Sequence, residues 1–144
     1  MNRRAFLKGA VVATAAMAST EAFADNYQGS LNRRGKKDDP SELEQKHVPA
    51  VEAPGSVKAG EWFDVMTVVG FKKVHPSTPK HWITMIKLHI DGKEIGQSRF
   101  RKGGLAGPIA IFRAKLEKTS TLVVIANCNL HGNWASEPVT VKVV

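Results

Sequence analysis

The sequence predicts an all-β protein, an immunoglobulin-like seven-stranded β-sandwich, and three observations carry that expectation. Beyond residue 47 the chain breaks into short runs rich in Val, Ile and Thr, turn residues separate those runs, and no stretch sustains the apolar period of a helix. Strands are expected over 61–69, 81–90, 93–100, 108–116, 121–127 and 138–144. Asp91-Gly92 joins the second and third of them, and this dipeptide suits a tight hairpin turn whose backbone needs positive φ. Within 81–90, Trp82, Ile86, Leu88 and Ile90 fall on one face and Met85, Lys87 and His89 on the other. Gly103-Gly104 and Gly107-Pro108 mark a loop. No helix pattern follows to supply the N-terminal dipole that a phosphate cradle requires.

At 144 residues and 42% hydrophobic content the chain has room and material for one cored domain. The net charge of +8 admits an anionic partner of some kind. Nucleic acid is disfavoured, because the single Tyr and six Phe are not interleaved with Arg or Lys as a base-stacking platform would be. Cys128 is the only cysteine, which excludes an intrachain disulfide and a four-cysteine metal site within one chain.

The first residues read as an address. Asn2-Arg3-Arg4-Ala5-Phe6-Leu7-Lys8 precedes an Ala-rich apolar run and then Ala22-Phe23-Ala24, the order of a twin-arginine signal peptide over 1–24 cleaved after Ala24. The apolar run is too short and too Ala-rich for a membrane anchor, so no span is expected in the mature chain, and the destination is the periplasm. The twin-arginine route carries folded cargo, which suits a protein that takes up its cofactor before export. Three basic residues and one acidic residue leave with the signal, so +8 falls to +6. Residues 25–42 are polar and mixed in charge and read as a linker, and 43–144 form the domain.

Five histidines remain: His47, His75, His81, His89 and His131. In Cys128-Asn129-Leu130-His131-Gly132 a thiol and an imidazole follow the apolar run 122–126 at a spacing that lets both reach one ion. His75-Pro76-Ser77-Thr78-Pro79-Lys80-His81 offers two more imidazoles, with Pro76 and Pro79 restricting the backbone around them. His89 lies eight residues past His81, about 26 Å along a continuous strand, and is left out.

Three segments together resemble the superoxide reductases, the neelaredoxin and desulfoferrodoxin family: Lys46-His47-Val48-Pro49, His75-Pro76-Ser77-Thr78 with His81-Trp82-Ile83, and Cys128-Asn129-Leu130-His131-Gly132 with Trp134. They occur in the family's order, and the resemblance runs from residue 47 to residue 144. It implies one mononuclear iron with His47, His75, His81 and His131 as nitrogen ligands and Cys128 as the axial thiolate. The implied reaction is one-electron reduction of superoxide to hydrogen peroxide, a defence against oxidative stress, with an external electron-donor protein renewing the ferrous state. Lys46 corresponds to a lysine implied in attracting superoxide and aiding protonation. Family members often form homo-oligomers. The two-iron members add a four-cysteine domain, which this chain, with Cys128 alone, lacks. One departure stands out: the family commonly has Glu two positions before the first histidine, closing the sixth site of ferric iron, and this chain has Gln45. A neutral amide is the poorer ligand for a hard ferric ion. Glu44 is adjacent, but an extended segment would turn it to the other face.

The closest rival is a cupredoxin-like electron carrier, also a β-sandwich with a Cys followed closely by His. Such a site wants a Met after its Cys and His, and none follows Cys128. Copper would also leave two histidines unexplained. Structural zinc takes four ligands where five are expected here. A binding domain with incidental histidines is the third alternative.

Overall fold

A computed structural model describes residues 30–144, so the export signal expected over 1–24 and the first residues of the expected linker lie outside the described residues. Among the described residues the order is β1 (Leu31–Asn32), α1 (Glu42–His47), β2 (Pro49–Glu52), β3 (Ser56–Val57), β4 (Phe63–Val69), β5 (Ile83–Ile90), β6 (Lys93–Arg99), β7 (Ile109–Ala114), β8 (Ser120–Cys128), β9 (Gly132–Ala135) and β10 (Val139–Val143). Six of these strands lie within two residues of the expected positions. The other four are two to four residues long, too short for alternation to register, so the seven-stranded sandwich is in fact ten strands divided seven and three.

β8 is the spine of the larger sheet. β5 runs antiparallel along one edge of it, from Ile83 opposite Cys128 to Ile90 opposite Leu122, and β6 continues outward from β5. The other edge is shared: β10 pairs with the first residues of β8 and β9 with the last. β1 adds in parallel to β9, and β3 in parallel to β10. The smaller sheet is β2-β4-β7, antiparallel throughout. Between the sheets lies a core that includes Phe63, Val65 and Val69 of β4, Ile86 and Leu88 of β5, and Leu122, Val124 and Cys128 of β8. Val123 and Ile125, on the opposite face of β8, are buried against Ala135 and Leu31. Burial on both faces explains why this strand is apolar without alternation.

Asp91 and Gly92 have φ of 47° and 81°, the positive pair that the β5–β6 hairpin needs. Alternation within β5 holds less well. A register shift between Ile83 and Met85 inserts Thr84 as an extra residue, so Ile83 rather than Trp82 joins Ile86 in the core. Trp82 instead lies half-buried with its indole N–H donated to the Phe100 carbonyl, 2.8 Å away.

The segment expected to be extended around Gln45 is helical. α1 is six residues long, below the reach of a periodicity argument, and its start is set by a capping box: Ser41 Oγ accepts from Glu44 N–H and the Glu44 carboxylate accepts from Ser41 N–H. The described part of the expected linker is also tied down. Leu31 and Asn32 pair with Asn133 and Trp134, the Arg34 guanidinium lies 4.4 Å from the centre of the Phe71 ring, and Pro40 is buried.

Gly70 ends β4 and starts the turn toward His75. Its φ is 97°, and a Cβ there would meet the Lys73 carbonyl oxygen at 2.0 Å. Both the backbone conformation and the space demand glycine. Gly70→Ala is therefore expected to lower stability by about 2 kcal/mol or more, read as a fall in the urea midpoint; an unchanged midpoint would show that the turn relaxes freely.

Candidate metal centre

Four separate chain segments converge at one end of the sandwich. α1 delivers His47 from its last residue, buried to 1% exposure. The turn after β4 wraps the end of that helix: Gly70 and Phe71 N–H groups donate to the Val48 carbonyl, and Lys72 and Lys73 to the Gln45 carbonyl. His75 N–H then returns to the Val69 carbonyl at 2.9 Å, which leaves the His75 ring 2% exposed beside His47. His81 is fixed by Thr78, whose hydroxyl and carbonyl both accept from His81 N–H. Cys128 ends β8 at 2% exposure and bears a free thiol. His131 follows in an exposed turn closed by Gly132, whose φ is 77°.

One donor atom from each of His47, His75, His81 and Cys128 lies within 4.8 Å of all the others. His131 joins them, with Nδ1 3.1 Å from His47 Nε2 and 3.5 Å from Cys128 Sγ. His81 Nε2 is 3.2 Å from the same sulfur. The rings meet mostly edge to face, with centroids 4.6 Å apart for His75 and His81 and 4.7 Å for His47 and His75. The five residues expected to meet do so, and His89 is absent from the group, buried instead on the outer face of β5.

Backbone carbonyls decide which nitrogen each buried ring presents. His47 Nδ1 donates to the Leu43 carbonyl and His75 Nδ1 to the Pro76 carbonyl, each at 2.7 Å, so both rings turn an unprotonated Nε2 inward. His75 Nε2 has no hydrogen-bond partner among the described residues. A buried lone pair without a donor costs stability unless something else occupies it, and nitrogen and sulfur donors of this kind suit iron. The residues present therefore fit a resident metal ion.

The electrostatics agree. Burial is the largest effect on each of His47, His75 and His81 and disfavours the cation, lowering all three and taking His75 to about 4. Hydrogen bonds to Leu43 and Pro76 oppose this for His47 and His75, and the neighbouring imidazoles and, for His47 and His81, Lys46 reinforce it. Neutral imidazole is the metal-binding form.

Lys46 precedes His47 on α1. Its Nζ lies 3.5 Å from Glu42 Oε1, an oxygen that also takes Lys73 Nζ at 3.1 Å. Glu44 and Gln45 are both engaged elsewhere. The Glu44 carboxylate accepts from Ser41 and Gly35 N–H, and Gln45 Nε2 donates to the Pro40 carbonyl at 2.9 Å. The helix overturns the argument that Glu44 points away because the segment is extended; its carboxylate is withheld by capping instead. Trp134 is a residue to which sequence reasoning assigned no role. Its ring stacks on His47 at 5.0 Å with an interplanar angle of 27°, and its indole N–H donates to the His131 carbonyl at 3.0 Å. Its place three residues past His131, within one of the resembling segments, was the only hint of this.

The desulfoferrodoxin family matches residues 39–137 of the chain. A putative superoxide reductase of Thermotoga maritima is 34% identical over 116 residues, covering 68% of this chain and 88% of that protein. The neelaredoxin of Megalodesulfovibrio gigas is 31% identical over 109 residues, covering 64% and 84%. Among solved structures, the superoxide reductase (neelaredoxin) of Ignicoccus hospitalis superposes with a TM-score of 0.64 at 34% identity, covering 72% of this chain and 88% of that one.

Burial of neutral His75 has a consequence for the metal-free chain. Between pH 6.5 and about 4 the unfolded chain takes up a proton at this residue that the folded chain refuses. Its contribution is thus fully present above 6.5 and is lost as pH falls toward 4, roughly 3 kcal/mol at most. The urea midpoint of the metal-free chain is expected to fall more steeply over that interval than the midpoint of His75→Gln. Parallel slopes would count against a neutral buried imidazole.

Proposed function

This chain belongs to the desulfoferrodoxin family, and we propose that the His and Cys cluster is the single iron centre with which it acts as a superoxide reductase. The observation that carries this reading is the gathering of four His and Cys donor atoms within 4.8 Å of one another in a chain of that family. The protein is an oxidoreductase that converts superoxide to hydrogen peroxide. We assign the ligands as His47, His75, His81, His131 and Cys128. Ferrous iron held by these residues would supply one electron to each superoxide, with two protons completing the peroxide.

The chain's own residues prepare that chemistry. The Leu43 and Pro76 carbonyls hold the outer protons of His47 and His75 at Nδ1, so neither ring competes with an incoming ion through an inward N–H. Trp134 covers the face of His47 and keeps water from it. Lys46, one residue from His47 and partly exposed, is assigned to draw the anionic substrate and to supply a proton from Nζ; its bond to Glu42 is an exposed pair, weak enough to exchange.

The wider reading follows the sequence. Arg3-Arg4 with Phe6-Leu7-Lys8 and Ala22-Phe23-Ala24 support export by the twin-arginine route to the periplasm and cleavage after Ala24, leaving a polar segment to residue 42 and the iron-binding domain over 43–144. An electron-donor protein completes each turnover. The exposed Ile109 and Ile111 on β7 support assembly of a homo-oligomer. Among the described residues no helix is long and apolar enough to cross a membrane.

Mixing the ferrous protein with a known amount of superoxide tests the activity. One peroxide per superoxide with no oxygen is expected; oxygen with half as much peroxide would mean dismutation, and no consumption above the spontaneous rate would overturn the reading. Lys46→Glu is expected to slow the reaction with superoxide several-fold at low ionic strength and to weaken or reverse its salt dependence. An unaltered rate and salt dependence would remove Lys46 from substrate attraction.

A further inference from the structure

The family match begins at residue 39, yet the segment before it reaches the metal centre. Leu31 packs against Val123, Ile125 and Ala135 on the outer face of the larger sheet, which anchors β1 by apolar burial. Asn32, paired opposite Trp134, turns its amide into the 128–132 turn. Its Nδ2 donates to the Asn133 carbonyl at 3.0 Å and to the carbonyl of His131 itself at 3.3 Å. Trp134 Nε1 donates to that same His131 carbonyl. A few residues on, Gly35 N–H donates to the carboxylate of Glu44, which forms a capping box with Ser41 on the helix that ends in His47. One short stretch of chain therefore grips both segments whose ring nitrogens, His47 Nε2 and His131 Nδ1, stand 3.1 Å apart.

His131 needs such a grip more than the other four donors do. The residue is exposed as a whole, although its ring borders the buried cluster, and it precedes a glycine in the left-handed region, so little core packing fixes its orientation. Hydrogen bonds to its carbonyl take the place of packing. We propose that Asn32 is a positioning residue for the metal centre, holding the His131 carbonyl so that Nδ1 faces the cluster, and that metal affinity therefore depends on chain that precedes the family domain. This inference rests on the metal-centre reading above.

Cobalt(II) added to the full-length metal-free chain is the probe, with its dissociation constant and its thiolate-to-cobalt and ligand-field absorption bands as readouts. Asn32→Asp keeps the size but sets an acceptor against two carbonyls, and Asn32→Ala removes the amide without adding charge. Both are expected to bind cobalt about tenfold more weakly or worse and to shift the ligand-field bands, as loss of a group that orients a ligand does. In a His131→Ala background, Asn32→Ala is expected to add nothing, because its effect passes through His131. Wild-type affinity and bands in whichever Asn32 variant folds, or an equal loss in the His131→Ala background, would overturn the positioning role while leaving the metal centre intact. A wild-type chain without any thiolate-to-cobalt band would instead defeat the metal-centre reading, and this inference with it.

Discussion

An imidazole can give a lone pair to an ion from one nitrogen only while the other holds the proton, and the rest of this molecule is arranged around that constraint. The carbonyls of Leu43 and Pro76 settle it for His47 and His75. Each lies on the same short segment as the ring it orients, four residues before His47 and one residue after His75. The tautomer is thus set locally. What the tertiary fold has to do is bring the segments together and keep them dry.

Doing so opposes stability. Three histidines are held with their cationic form disfavoured, and one inward nitrogen has no donor among the described residues, a cost of about 1 to 3 kcal/mol for such a group. The sandwich offsets this by placing the site against a strand buried on both faces. β8 ends in Cys128, so the sulfur sits at the end of a strand packed on both sides. The neighbouring segments are then fixed by backbone hydrogen bonds rather than by bulk. The turn after β4 closes over α1 through the Val48 and Gln45 carbonyls, and Thr78 holds His81 from both its hydroxyl and its carbonyl.

The long strands were legible because each runs for five or more positions between turn residues, and Asp91-Gly92 marks the hairpin that joins two of them. The residues that converge at the candidate centre were legible too, though by resemblance: spacing alone joins Cys128 to His131 and His75 to His81, and nothing in it joins either pair to His47. The failures share a cause. α1 spans six residues and β1 two, so the periodic signal never accumulates, and only Ser41 with Glu44, a capping pair three apart, announces the helix. Thr84 is the extra residue at the register shift of β5, and its hydroxyl bonds to the Asn127 side chain at 2.6 Å, a contact across strands that composition does not encode. The polar stretch 30–40 reads as linker because its charges are real; what holds it, Leu31 in an apolar cluster and Asn32 on two carbonyls, are single residues among many polar ones.

These two kinds of support divide the centre unequally. His47, His75 and Cys128 are each 2% exposed or less and come from elements locked into the body of the sandwich, so their positions follow from folding itself. His131 lies on an exposed turn, and its placement follows from three side-chain hydrogen bonds to the backbone of residues 131 and 133, one from Trp134 and two from Asn32. Bonds of that sort contribute about 1 kcal/mol each in partly exposed surroundings, an amount comparable to the free energy of restricting a single residue. A candidate ligand held at that margin is the one whose geometry responds to small changes elsewhere. The buried donors would fix where an ion sits, and the turn that carries His131 would fix how completely it is enclosed.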